Sequence, residues 1–189
     1  IDFTSDKDRM IHAMNRTRRK QSKYGHKSIR GLWAYVKRLN EDRAKKISAA
    51  IVEFASQHSV DTIVMEHLDF KGCKKRGSKA QRLSMWNHGI IREKVEQKAH
   101  LLGIRIATIC AWKTSALAFD GSGSVTRDDN NHALATFTTG KQYNCDLSAS
   151  YNIGARYFIR ELLKSLPATE EPRVKAKVPD AGRRTSCTL

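Results

Sequence analysis

The stretch TIVMEHLDFKG, Thr62–Gly72, decides how the chain is read. Its first part is β-branched and apolar, the composition of a strand, and it runs straight into Glu66, His67 and Asp69. A strand that only fills a core stops at a turn. One that ends in a carboxylate holds that carboxylate out, and the carboxyl ends of strands are where α/β folds place their ligands.

Helical patterns flank this strand. Ser5 with Asp8 fits a capping-box start, for a helix that is strongly basic from Arg16 and is broken at Lys23–Ser28. Residues 28–58 carry Leu32, Val36, Leu39, Ile47, Ile51 and Phe54 at the spacing of one buried helical stripe, with a kink or polar turn near Asn40–Arg43. Residues 83–102 predict another helix, with Ile91, Val95, Ala99 and Leu102 on one face and Gly103 as its C-terminal cap. Ile104–Cys110 reads as a second strand. Residues 111–145, rich in Gly, Ser, Thr and Asn, read as an inserted loop or small hairpin. A last helix runs from Cys145 to Leu166, with Tyr151, Ala155, Phe158 and Leu162 in register, and Pro167 ends it. Trp33 and Trp86 are expected to anchor core helices.

This order predicts an α/β fold with parallel strands. Two strands make too small a sheet, so further strands are expected upstream of Ile1. One domain over residues 1–166, with its insert at about 113–144, and a loosely ordered tail over 167–189 complete the expected organisation.

The charge balance points to the partner. The chain holds 35 Lys and Arg against 19 Asp and Glu, a net charge of +16 over 189 residues, which calls for a polyanion such as DNA or RNA. The segment Lys71–Arg82 concentrates Lys71, Lys74, Lys75, Arg76, Lys79 and Arg82 without an acid, and Arg16, Arg18, Arg19 and Lys20 form a second basic group. No apolar run approaches the ~20 residues of a membrane span. Cys73, Cys110, Cys145 and Cys187 show no zinc-type spacing, and so few cysteines suit a reducing, cytoplasmic setting.

Two carboxylates have placements that suit chemistry. Glu66 closes the first strand and Asp146 opens the last helix, where the helix dipole favours a negative charge. If that helix packs beside the strand, both can meet at a divalent ion, Mg²⁺ or Mn²⁺ by the hardness of their oxygens. The plainer alternatives are that Asp146 is an N-cap and that Glu66 pairs with a lysine. His67 reads as an exposed strand-end residue. Asp69 and the pair Asp128–Asp129 are further acids near the expected site.

TIVMEHLDFKG resembles the second RuvC motif of TnpB-type transposon-encoded RNA-guided nucleases and of type V CRISPR effectors. CDLSASYNIGARY, Cys145–Tyr157, resembles their third motif through Asp146, Ala149, Asn152 and Ile153, with Ser148 and Ser150 departing from it. KTS, Lys113–Ser115, resembles the segment before the family's zinc ribbon, and the resemblance spans roughly residues 5–165. It implies an RNase H-like, RuvC-type fold lacking its first strands. It also implies a Mg²⁺-dependent DNA endonuclease guided by RNA, in a prokaryotic cytoplasm and on the nucleoid when bound to DNA. DNA and guide RNA are the implied partners, with the rest of a larger effector or a second copy as further ones. Transferred by position, catalytic and metal-ligand roles fall on Glu66 and Asp146. Ile1–Asp2 looks like the family's first motif, but the strands that should follow it are missing, so Asp2 is a weak third candidate. The CxxC pairs of the zinc ribbon are absent, with Cys145 alone in their place, so no zinc is expected. The alternative is a catalytically incomplete RNA-guided DNA binder or transposition accessory.

Overall fold

A computed structural model describes residues 4–25, 29–68, 86–178 and 180–185. Asp2, Asp69 and the basic segment from Lys71 to Arg82 therefore lie outside the described residues. The chain divides into two compact units, one drawn from residues 1–61 and 72–105, the other from 62–71 and 106–189.

The first unit is helical. It contains α1 (Thr4–Tyr24), α2 (Arg30–Gln57) and α3 (His88–Leu101), with α2 packed against both others. Helix α1 begins at Thr4, one residue before the expected capping position. It ends at Gly25, whose positive φ of 76° is cheap only for glycine and whose N–H reaches the Gln21 carbonyl at 3.0 Å. Helix α2 is continuous, so the expected break near Asn40–Arg43 does not occur. Asn40 instead turns inward: its amide donates to Asn87 Oδ1 at 2.8 Å, while Asn87 donates back to the Asn40 carbonyl at 2.6 Å. The buried line on α2 is Val36, Asn40, Ala44, Ser48, Val52 and Ala55, which shares only Val36 with the expected Leu32–Phe54 stripe, and Phe54 is 56% exposed. Small side chains let neighbouring helices approach closely, which favours that line at a helix–helix contact. The expected face of α3 is buried at Val95 and Ala99 only. After α3 the amides of Gly103 and Ile104 bond the carbonyls of His100 and Ala99, closing the helix in a Schellman motif with Gly103 at φ 70°. Trp33 is partly buried and donates its indole N–H to Gln21 Oε1, whereas Trp86 is 52% exposed and anchors no core.

Among the described residues the second unit holds two small sheets and three helices. Strands β1 (Thr62–His67) and β2 (Arg105–Cys110) pair with each other. The Arg105 amide donates to the Asp61 carbonyl at 2.8 Å, so the two strands start side by side. Apolar side chains fall on both faces of each strand, as in a sheet interior, yet β1 is half-buried along its whole length. Within the insert, β3 (Thr126–Arg127), β4 (Leu134–Thr136) and β5 (Gln142–Asn144) form an antiparallel sheet, with Arg127 opposite Ala135 and Ala135 opposite Tyr143. Its core is Ala118, Ala135, Phe137 and Cys145, with Phe119, Val125 and Tyr143 against them. Phe137 stacks on Tyr143 at 5.3 Å and meets Phe119 edge-on at 5.5 Å. Each such pair adds about 0.5–1.5 kcal/mol beyond its buried area, so rings hold this insert's shape.

Helix α4 (Cys145–Ser165) follows directly and packs on β1, β4 and β5. The region expected to be a loose tail carries α5 (Glu171–Lys177) and α6 (Ala181–Thr185), and α6 lies on α4. No helix among the described residues is long and apolar enough to cross a membrane.

Candidate active site

Alternation along β1 puts Thr62, Val64 and Glu66 on one face of the strand. Glu66 accepts a short hydrogen bond from the Thr114 hydroxyl. Thr114 is 5% exposed and sits in the turn after β2, where its N–H bonds the Ala111 carbonyl at 3.4 Å and neighbouring Lys113 takes a positive φ of 50°. The turn is fixed from the other side by α4. The Asn152 amide donates to the carbonyls of Thr114 at 2.9 Å and Leu117 at 2.6 Å. Glu66, Thr114 and Asn152 thus form one chain of contacts, from strand end through turn to helix.

The face of α4 that does this is polar. Its buried residues are Cys145, Ser148, Asn152 and Arg156. The apolar register Tyr151, Phe158 and Leu162 faces outward, with Phe158 71% exposed. Arg156 donates to the Cys110 carbonyl at 2.9 Å, and Arg160 donates to the Thr108 carbonyl. Asn152, Arg156 and Arg160, each four residues apart, therefore read the backbone along β2 and the turn after it. A buried carbonyl without a donor costs about 1–3 kcal/mol, which explains why this side of the helix faces in.

Arg156 is 1% exposed, and its Nε and Nη2 have no acceptor among the described residues. Burial pushes its pKa below the ordinary arginine value, Arg184 pushes the same way, and Cys110 and Glu66 oppose them. Arg184, on α6, is itself buried, and its neighbour Arg183 lies over the Trp112 ring at 5.6 Å.

Asp146 lies in the first turn of α4, and the N-cap is Asn144, whose side-chain oxygen accepts from the amides of Asp146 at 2.9 Å and Leu147 at 3.1 Å. The capping role that sequence left open for Asp146 thus belongs to Asn144. Asp146 is exposed, roughly 120° around the helix and about 9 Å along it from Asn152. Asp128 is occupied locally, its Oδ1 accepting from the amides of Asn130 and Asn131. His67 is partly buried rather than exposed.

The oxygens of Glu66 and Asp146 are of the kind a hard divalent ion selects, and both belong to segments tied together through Thr114 and Asn152. Among the described residues no three His, Cys, Asp or Glu side chains form a group able to hold a metal ion. Of the basic candidates, Arg16, Arg19 and Lys20 are exposed on α1 and Arg18 is half-buried there. Thr114 and Arg156 carried no assigned role in the sequence reading. The signal that could have found Arg156 is the four-residue polar spacing from Ser148 through Asn152 to Arg160 on an otherwise amphipathic helix.

No protein-family model matches the sequence, and no curated protein matches it. Among solved structures, the chain matches the cryo-EM structure of a Cas12f1–sgRNA–target DNA complex, with a TM-score of 0.56 and 19% identity, over 76% of this chain. The chain spans 41% of the chain it matches there. Cas12f1 is a type V effector, so this neighbour is of the kind that the motifs around Glu66 and Asp146 resemble, and the chain shares its mixed α/β fold.

Proposed function

We propose that the chain is an RNase H-like, RuvC-type nuclease domain that hydrolyses phosphodiester bonds in DNA under the direction of a guide RNA. The observation that carries this reading is the link from Glu66 through Thr114 to Asn152, on the helix that Asp146 opens. The fold shared with a Cas12f1 complex that contains sgRNA and target DNA supports it. So does the net charge of +16.

In this reading Glu66 and Asp146 hold Mg²⁺ or Mn²⁺, and Asp2, or a residue upstream of Ile1, supplies a third carboxylate. Bound metal supplies Lewis-acid charge and a more acidic water. Thr114 fixes the Glu66 rotamer, Asn152 fixes Thr114, and Arg156 holds the end of β2. The basic residues of α1 and of the 71–82 segment take phosphates, and base pairing with the guide reads sequence.

A catalytically incomplete binder or transposition accessory is the second reading. The absence of a three-ligand group among the described residues favours it. A Mg²⁺-dependent cleavage assay on single-stranded DNA separates the two. Glu66→Gln and Asp146→Asn are each expected to abolish cleavage, and the double variant to be no worse than either single one, because such sites act as a unit. Equal background from wild type and variants would leave only binding.

A further inference from the structure

A groove of about 370 Å³ opens between α1 and α2 in the helical unit. It is lined by the buried or half-buried Ala13, Thr17 and Leu32, by Tyr35, and by the exposed Asp8, Arg9, His12 and Arg16. A pocket of this size suits one small flat group, near the lower end of ordinary ligand sites. Tyr35 is 39% exposed, although a tyrosine gains by burying its ring. The ring is nonetheless held, because Arg9 donates to the Tyr35 hydroxyl at 3.4 Å. Arg16 is exposed on the same side, with Lys20 one turn further along. A largely apolar lining, an aromatic face and two cations, Arg9 and Arg16, against the single acid Asp8 suit an unstacked base and its flanking phosphates.

We propose that this groove takes one unpaired nucleobase of a single-stranded nucleic acid, with the base against Tyr35 and the adjoining phosphates on Arg9 and Arg16. The proposal rests on the reading above that the chain binds nucleic acid, and it names where a strand is held while unpaired. Neither ring stacking nor a phosphate contact reads the 2′-hydroxyl, so DNA and RNA strands both fit.

The test is fluorescence anisotropy with the full chain in EDTA, so that cleavage plays no part. The probes are end-labelled oligo(dA), oligo(rA), an abasic strand of equal length and a duplex. Both base-bearing single strands are expected to bind more tightly than the abasic strand and the duplex. Tyr35→Ala should weaken the base-bearing strands by about 5- to 100-fold and leave the abasic strand unchanged. Tyr35→Phe, which keeps the ring, should retain most of the affinity. Arg16→Ala should weaken all strands and reduce the slope of log affinity against log salt by about one. Equal binding of the abasic strand, or unchanged binding by a Tyr35→Ala protein with native helicity, overturns the groove. Either result leaves the nuclease reading standing, since that depends on Glu66 and Asp146 with metal present.

Discussion

Asn152 is the residue on which the candidate site should turn, and Asn152→Ala puts a number on it. The side chain is 2% exposed and donates to two backbone carbonyls, those of Thr114 and Leu117. Alanine leaves both carbonyls buried and unsatisfied. Each lost bond is worth about 0.5–1.5 kcal/mol net and each stranded carbonyl about 1–3 kcal/mol, so with partial rescue by water the loss should be about 2–4 kcal/mol. For a chain of this size that is a fall in Tm of about 4–15 °C. Asn152→Asp should be worse than alanine, because a carboxylate oxygen would then face a carbonyl where an N–H stood. Urea unfolding followed by circular dichroism reads the stability, with the midpoint moving at constant slope. Metal-dependent cleavage should fall in the same variants under conditions where they remain folded, because Thr114 loses its hold and Glu66 loses its donor. A loss under about 0.5 kcal/mol for Asn152→Ala, with Asn152→Asp no worse, would refute the chain of contacts from α4 to Glu66.

Arg156 tests the cost of a buried charge. Arg156→Met removes a buried charge and two donors that lack acceptors among the described residues, but it also strands the Cys110 carbonyl; the two effects offset, so it should lose about 1 kcal/mol or less, whereas Arg156→Ala adds a cavity and should lose about 2–4 kcal/mol. A methionine variant as unstable as the alanine one would show that the guanidinium is better satisfied than the geometry allows. In the insert, Phe137→Ala removes a ring that is 2% exposed and touches Phe119 and Tyr143, with an expected loss of about 3–5 kcal/mol on unfolding. Because rings hold this insert, a strong chelator should leave its melting unchanged, and a drop in Tm on chelation would point to a structural metal.

Much of the local structure is legible in short windows of residues. The β-branched run Thr62–His67 is a strand as expected, Gly25 and Gly103 end their helices, and Cys145–Ser165 is helical over nearly the expected range. These depend on neighbours within a turn or two, which is what periodicity and glycine report. The placement of Glu66 at a strand end and of Asp146 at a helix start belongs to the same class, and so does the positive charge.

Which face of each helix turns inward is not local. Hydrophobicity favours Tyr151, Phe158 and Leu162 as the inner face of α4, but Ser148, Asn152 and Arg156 occupy it. The acceptors of Asn152 and Arg156 come from 35 to 46 residues away, in the turn after β2 and at its end. A polar side chain is cheap to bury only when such partners arrive, and they arrive only on folding. The same holds for α2, where Ala44 and Ser48 outrank Ile47 and Phe54 because a helix contact selects for close approach. The choice of Asn144 over Asp146 as N-cap turns on one residue's extended backbone, at φ −61° and ψ 131°. That small difference leaves the Asp146 carboxylate unspent.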